Sequence, residues 1–255
     1  GHNCSNDDKM QNDCAICQNK ICEESPHGNK TKNYITHSKC KNIFHTDCLK
    51  EYEKHGGKKW KDMGLKSSEH ISKIIVSPND PNLVFVASQG PLWSPGGDRG
   101  LFRSTNGGED WENVLSVNEW TGVTDIVIDH NNPTTLYAAT WQRHRNVAAY
   151  MGGGPGTSIY KSVDNGKTWI EIKNGLPDSN LGKIGLAISP FDSSILYAAV
   201  ETDRRNGGVY KSTNSGGSWK KMSDTVSGAT GPHYYQELVA SPHVFDKIYL
   251  MDTKV

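Results

Sequence analysis

The stretch Ser104-Thr105-Asn106-Gly107-Gly108-Glu109-Asp110-Trp111 decides the fold, because its pattern occurs three times in the chain. It returns as Ser162-Val163-Asp164-Asn165-Gly166-Lys167-Thr168-Trp169 and as Ser212-Thr213-Asn214-Ser215-Gly216-Gly217-Ser218-Trp219. The shared pattern is Ser-x-Asx-x-Gly-x-x-Trp. A degenerate copy ends at Gly57-Lys58-Lys59-Trp60, so four tryptophans fall at intervals of about 50 to 58 residues, a period that indicates repeated structural units.

The Asx, Gly and Trp positions of the motif each have a physical role in a tight turn. The Asp or Asn side chain accepts hydrogen bonds from the backbone of its own turn. Gly takes the positive-φ position that other residues enter at a cost in energy. The Trp then anchors the hairpin by burying a large ring. The motif therefore predicts a tight turn between two antiparallel strands.

Two short β-rich runs, separated by a turn of Pro, Asn or Asp, precede each motif. A third short run leads into the motif, and a fourth strand follows its Trp. Four antiparallel strands, a to d, make a propeller blade. The fold class is therefore all-β, an incomplete β-propeller of about three and a half four-stranded blades. The a and b runs are 74–78 with 83–87, 126–129 with 136–139, 186–190 with 196–199, and 238–242 with 248–250; the c runs are 101–103, 159–161 and 209–211.

Composition narrows the class of partner. The chain has 255 residues, with 28 Lys+Arg against 28 Asp+Glu, so it shows no electrostatic signature for nucleic acid. No apolar run approaches the roughly 18 residues that a membrane helix needs. The start of the chain has no apolar segment of a signal peptide. We expect no nucleic acid partner and no membrane span.

From about Lys58 to Val255 the sequence resembles the Asp-box (BNR-repeat) propellers, and within them the bacterial sortilin-like group that is often labelled as glycosyl hydrolases. The stretches 90–100 and 140–146 are typical of that group. The resemblance implies a propeller in which the Asp-box is structural. It leaves function open, because such propellers include sialidases, xyloglucan hydrolases and receptors without catalysis. Because propellers need about four blades to close, we expect either further blades or self-association.

The N-terminal part has a different composition. All 6 cysteines lie at or before Cys48, and residues 1–57 are poor in aliphatic side chains, so a bound ion is needed to stabilise a fold there. Cys14-x-x-Cys17 and His45-x-x-Cys48 are spaced as two knuckles of a tetrahedral zinc site. The sequence therefore predicts zinc as a cofactor, in a segment separate from a propeller fragment over 58–255.

This segment resembles a RING finger, through Cys14-Ala15-Ile16-Cys17 and the stretch from Cys40 to Leu49. The resemblance implies that Cys14, Cys17, His45 and Cys48 share one zinc. A second zinc would take Cys40 with His37 or Asn42, but the closing cysteine pair of the family is absent. A polar leader with reactive thiols is the alternative. A ubiquitin-ligase or other zinc-dependent interaction module is a further functional hypothesis.

Chemistry is expected on one end of the propeller. The a–b turns and motif turns should lie at one end, and the b–c and d–a loops at the other. Aromatic, arginine and carboxylate side chains gather in the second set of loops, where Arg can bind a carboxylate and Trp or Tyr can stack on a sugar. The alternative is that these side chains brace neighbouring blades. The candidate ligand-binding residues are Trp93, Arg99, Trp120, Trp141, Arg143, His144, Arg145, Arg204, Arg205, His233 and Tyr234.

Catalysis would need two carboxylates that flank one glycosidic bond at about 5–9.5 Å. No spacing in the sequence selects a pair among the candidates Asp98, Glu119, Glu201, Asp203 and Glu237. The leading interpretation is a recognition module for a glycan or peptide, and the alternative is a glycoside hydrolase of the BNR-repeat type. Localisation stays open, since a propeller of this kind suggests a secreted or periplasmic protein and a zinc finger an intracellular one.

Overall fold

The computed structural model describes residues 61–202, 207–225 and 236–251, together with the backbone of two short strands before residue 46. The chain divides into two units, Gly1–Asp62 and Met63–Val255. In the first unit, β1 (Tyr34–Thr36) pairs antiparallel with β2 (Ile43–His45). The described residues contain strands and turns but no helix, so the predicted all-β class is confirmed for them. None of them belongs to a helix with the length and apolar character of a membrane span.

The first blade of the second unit is an antiparallel sheet of four strands. Its strands follow the chain order, β3 (Ile71–Val76), β4 (Val84–Ser88), β5 (Gly100–Ser104) and β6 (Glu112–Leu115). Successive side chains of a strand face opposite sides, and β4 and β5 are buried on both. The middle of the sheet is therefore covered on both faces, whereas β3 and β6 are largely exposed.

The second blade repeats this order and adds a hairpin. Strands β7 (Thr121–Ile128) and β8 (Leu136–Gln142) form its a and b strands. The connection that follows contains the two-stranded hairpin β9 (His144–Arg145) and β10 (Tyr150–Met151). Strands β11 (Ile159–Ser162) and β12 (Ile170–Glu171) then complete the sheet.

The third blade and a half-blade follow. The third sheet has the order β13 (Ile184–Ile188), β14 (Leu196–Glu201), β15 (Gly207–Ser212) and β16 (Lys220–Ser223). Strands β17 (Leu238–Ala240) and β18 (Ile248–Leu250) form a two-stranded sheet. The predicted three and a half blades therefore correspond to three four-stranded sheets and one pair of strands.

The sheets pack through their first strands, since β3 contacts β7, β7 contacts β13, and β13 contacts β17. This neighbour-to-neighbour contact of a-strands is the arrangement of propeller blades. At Gly185 in β13 the approach is so close that a Cβ atom would lie 1.6 Å from the backbone oxygen of Gln236. Only glycine fits there.

Apolar clusters fill the spaces between neighbouring blades. One contains Phe85 from the first blade and Ile126 from the second, and another contains Tyr137 from the second and Ile184 from the third. Burying one such side chain contributes roughly 1.5–3 kcal/mol. The core is therefore shared between sheets.

The three Asp-box turns have the same hydrogen bonds. The Ser hydroxyl donates to the Asx side-chain oxygen over 2.8 Å at Ser104, Ser162 and Ser212 alike. The same hydroxyl accepts the N–H of the motif Gly at 2.8, 2.9 and 2.9 Å. That Gly has a φ of 95°, 74° and 83° in the three turns, which is the left-handed region that the motif predicts.

Two of the three motif tryptophans donate to the segment that precedes their blade, whereas the Trp169 indole donates to the Gly166 carbonyl of its own turn over 3.1 Å. The Trp219 indole donates to the Ile172 carbonyl over 2.9 Å, and the Trp111 indole donates to the Met63 carbonyl over 2.7 Å. Ile172 comes three residues after Trp169, and Met63 comes three residues after Trp60. Met63 therefore accepts from Trp111 the hydrogen bond that Ile172, directly after β12, accepts from Trp219.

Backbone hydrogen bonds sort the loops into two ends. Each motif turn donates to the a–b turn of its own blade: Gly107 to Asn82 at 2.9 Å, Asn165 to Thr134 at 2.9 Å, and Ser215 to Ser194 at 2.8 Å. These turns form what we call the Asp-box end. The b–c and d–a connections, at the opposite ends of the strands, form the loop end.

Candidate functional site

Loops of different blades are joined at the loop end. The Gly96 N–H donates to the Glu119 carbonyl over 2.8 Å, which joins the β4–β5 loop to the β6–β7 loop. The Arg145 N–H donates to the Leu92 carbonyl over 2.9 Å, which joins the β9–β10 hairpin to the first blade. The surface at this end is therefore built by two blades together.

Arg99 organises the β4–β5 loop from inside. Its side chain is buried and its guanidinium donates to five backbone carbonyls. Burial lowers its pKa, while it still provides the positive charge that these carbonyls face. The acceptors are Gln89 at 2.8 Å, Trp120 at 3.1 Å, Ser94 at 3.2 Å, Gly96 at 3.3 Å, and Pro91. Arg99, a candidate ligand-binding residue, thus has the bracing role that was the alternative interpretation.

Arg143 lies between β8 and β9 and is only 7% exposed. One terminal nitrogen donates to the Gly90 carbonyl over 3.2 Å, and the guanidinium carbon lies 5.2 Å from the centre of the Trp141 ring. Its Nε is buried without a hydrogen-bond partner. Burial lowers the pKa of Arg143 to about 10, so the group keeps its charge at neutral pH.

Two of the candidate aromatic residues differ in accessibility. Trp141 is 2% exposed and donates to the Gly152 carbonyl over 2.9 Å, so it supports the site from within. Trp120 is half-buried, and its ring centre lies 4.4 Å from that of His144. The pair therefore presents an aromatic edge at the surface.

Arg145 is exposed and lies between two aromatic rings. Its guanidinium carbon is 5.0 Å from the centre of the Tyr150 ring and 6.0 Å from that of Trp93. Trp93 is 59% exposed. A flat ring accessible to solvent beside a planar cation suits stacking against a ligand.

A cavity of about 540 Å³ opens where the a-strands of the four sheets meet. Two ion pairs cross it between blades: Lys73 Nζ lies 2.6 Å from Asp125 Oδ1, and Lys183 Nζ lies 3.2 Å from Glu237 Oε1. The other Asp125 oxygen accepts the Leu186 N–H at 2.7 Å, so this carboxylate links three sheets. Lys73, Asp125 and Lys183 were not among the candidates from the sequence.

Two smaller cavities adjoin the central one. A cavity of about 300 Å³ is lined by Trp120 and His144 and shares Arg143 with the central cavity. A cavity of about 340 Å³ is lined by Trp93 and shares Arg145 and Tyr150 with it. We call these three cavities the loop-end groove. The aromatic, arginine and histidine side chains that line the smaller cavities are Trp93, Trp120, Arg143, His144, Arg145 and Tyr150.

The candidate catalytic carboxylates are dispersed. Asp98 accepts the Ser67 N–H at 2.8 Å, Glu201 accepts the Lys183 N–H at 3.2 Å, and Glu119 is exposed. None of these three lines the loop-end groove, whereas Glu237 does. Asp203, Arg204, Arg205, His233 and Tyr234 lie outside the described residues.

The predicted zinc site lies outside the described residues as well. Cys14, Cys17, Cys48, His37 and Cys40 belong to that part, and of His45 only the backbone is described. Among the residues that the structure describes, no group of three or more His, Cys, Asp or Glu is placed to hold a metal ion. Zinc therefore stays a prediction from the sequence.

Curated relatives of the chain include two xyloglucanases. Xyloglucanase Xgh74A of Acetivibrio thermocellus is 28% identical over 154 residues, which is 56% of this chain and 17% of that protein. A xyloglucanase of a Paenibacillus species is 24% identical over 175 residues, which is 64% of this chain and 16% of that protein. The chain thus spans about a sixth of the length of these relatives.

Similar solved structures include the GH74 enzyme of Niastella koreensis, with a TM-score of 0.48 and 17% identity over 66% of this chain and 26% of that one. Another is YCF48 from Cyanidioschyzon merolae, with a TM-score of 0.40 and 19% identity over 64% of this chain and 39% of that one.

One family model covers more than half of the chain. The family described as "Sortilin, neurotensin receptor 3" matches residues 99–243, which include the second and third blades and all three complete Asp-box turns. The sequence resemblance to sortilin-like propellers is confirmed by this match. The chain belongs to the Sortilin-Vps10 family.

Proposed function

We propose that the chain recognises a glycan, bound as an extended oligosaccharide along the loop-end groove. The observation that carries the proposal is the continuity of the three cavities: the central one shares Arg143 with one smaller cavity, and Arg145 and Tyr150 with the other. An oligosaccharide needs several consecutive subsites, and a row of adjoining cavities supplies them.

The aromatic side chains support a carbohydrate ligand. Trp93 lines one of the two smaller cavities, and Trp120 lines the other. The apolar face of a pyranose ring can stack on an indole, while its hydroxyls need donors and acceptors such as Thr124 and Gln89, which line the central cavity. The relatives named as xyloglucanases favour a polysaccharide over a peptide.

The decisive experiment is calorimetric titration with a panel of oligosaccharides that includes xyloglucan fragments. We expect Trp93→Ala to weaken binding of a panel member about tenfold or more, as the loss of an aromatic anchor does. Phe191→Ala is the matched control, because Phe191 is also half-exposed but lies in an a–b turn at the Asp-box end. The proposal fails if no glycan binds, if a peptide library binds instead, or if the control weakens binding as much.

A glycoside hydrolase is the second candidate, and one observation favours it. Two carboxylates, Asp125 and Glu237, line the central cavity. Both are held by lysines, with Lys73 on Asp125 and Lys183 on Glu237. Release of reducing sugar that disappears in Glu237→Gln while glycan binding persists would establish this activity.

A further inference from the structure

The charges that line the central cavity do not cancel. Four cationic side chains and two carboxylates surround it. Lys73 is paired with Asp125, and Lys183 is paired with Glu237. Arg143 and Arg145 form no ion pair with any carboxylate among the described residues, so the surplus positive charge of the cavity belongs to these two arginines.

Arg143 is the more informative of the two, because a buried charge without a counter-ion is costly. Its Nε lacks a partner, and the hydroxyl of Thr124, which also lines the cavity, is buried without one too. Unsatisfied buried donors are rare in folded proteins and need an explanation. A ligand group that accepts hydrogen bonds and carries negative charge would satisfy both.

Arg145 approaches the same cavity from the surface side. Arg143 and Arg145 both line the central cavity, whereas His144, between them, lines only the neighbouring cavity with Trp120. The Tyr150 ring, 5.0 Å away, holds the guanidinium of Arg145 at the boundary of two cavities.

We infer that the central cavity selects a sugar residue that carries a carboxylate, so that the glycan ligand contains a uronic acid. This inference rests on the proposed function and specifies its ligand class. A guanidinium binds a carboxylate through two parallel hydrogen bonds, which gives geometry as well as charge. The inferred ligand is therefore an anionic oligosaccharide and not a neutral one.

The position of the arginines also fixes where in the ligand the carboxylate lies. A second cavity adjoins the central one at Arg143, and a third adjoins it at Arg145. A carboxylate at the end of a chain would leave one of these two cavities empty. The groove therefore fits a uronic acid in the interior of an oligosaccharide, with neighbouring sugars at Trp93 and Trp120.

The test compares an α-1,4-linked hexamer of galacturonic acid with the same hexamer as its methyl ester, by calorimetric titration at low salt. We expect the acid form to bind at least tenfold more tightly, and its affinity to fall as salt is raised. Arg145→Gln should remove most of this preference, because one of the two surplus charges is lost. Arg143→Lys tests the buried group, since Lys keeps the charge but cannot form the paired hydrogen bonds.

Lys167→Gln is the control, because it removes one positive charge from an exposed motif turn at the Asp-box end. We expect it to leave the preference unchanged. If Arg143→Lys fails to fold, the Arg145→Gln variant and the salt dependence still decide. Equal binding of acid and ester, or binding of neutral xyloglucan fragments alone, overturns the uronic acid inference while glycan recognition stands. Binding of no glycan overturns both.

Discussion

The two ends of the propeller differ in whether their interactions recur from blade to blade. At the Asp-box end, the Ser-to-Asx hydrogen bond measures 2.8 Å in all three turns. At the loop end, the first blade has a Pro- and Gly-rich loop held by Arg99, and the second has the β9–β10 hairpin. Interactions that recur in every blade are those that the fold requires. Side chains that occur in one blade only either brace a loop, as Arg99 does, or are available for binding.

The largest expected loss of stability that tests this comparison is at the motif tryptophans. Trp219 is 5% exposed and belongs to the apolar cluster between the second and third blades, whereas Trp111 and Trp169 are half-buried. We expect Trp219→Ala to lower the free energy of unfolding by about 4 kcal/mol, and the same change at the other two sites to cost less. Chemical denaturation measures this. A loss below about 1 kcal/mol at Trp219 would contradict it.

A smaller loss of stability is expected at the motif serines, and it should be equal at the three sites. Each hydroxyl makes the same donor and acceptor contacts and is almost fully buried. Ser104→Ala, Ser162→Ala and Ser212→Ala should each cost about 1–2 kcal/mol, since each leaves a buried N–H without its acceptor. Denaturation midpoints of the three variants provide the comparison. A cost several times larger at one site would show that the turns are not equivalent.

The smallest effect concerns Asp164, the one acidic residue among the three Asx positions of the motif. Hydrogen bonds from the hydroxyl and N–H of Thr168 and from the hydroxyl of Ser162 hold the pKa of Asp164 well below its usual range. A folded-state pKa below the unfolded value of about 3.9 gives stability that is present above that value and is lost as the pH falls towards the folded pKa.

Asp164→Asn should therefore be nearly neutral at pH 7 and should flatten part of the stability loss below about pH 4. The substitution is tolerable because Asn106 and Asn214 occupy the same place in the other turns, with the same oxygen accepting an N–H at 3.0 and 2.9 Å. Urea midpoints measured at pH 7 and pH 3 test this. An unchanged acid limb would exclude a role for this carboxylate.

The repeat was predictable because its determinants are local. The short apolar runs, a Pro or Asn turn and the Asp-box lie within one blade, and the predicted a, b and c runs fall within observed strands or overlap them. The outer strands were harder to delimit, since β12 contains only Ile170 and Glu171. Solvent-facing strands have little apolar pattern to mark their ends.

The site was predictable in part only, because its determinants join different blades. Lys73 and Asp125 are 52 residues apart, and Lys183 and Glu237 are 54 residues apart. A charge directly before the apolar run of an a-strand, as at Lys73, Asp125 and Glu237, was the available signal. Arg99 and Arg143 look alike in sequence and are both buried, and only their hydrogen-bond partners separate the brace from the candidate binding residue.

The shared cores between blades have a mechanical consequence. Each hydrophobic cluster is shared between two sheets. Phe85 packs in one cluster with Ile126, and Tyr137 packs in another with Ile184, so each cluster forms only when both adjacent sheets are folded. Unfolding of one sheet would expose the apolar side chains of its neighbours to water. The energetics of such an array approximate those of a one-dimensional chain of coupled units. Opening should therefore spread from sheet to sheet, and slow hydrogen exchange should be concentrated in the second and third blades, which both have neighbours on two sides.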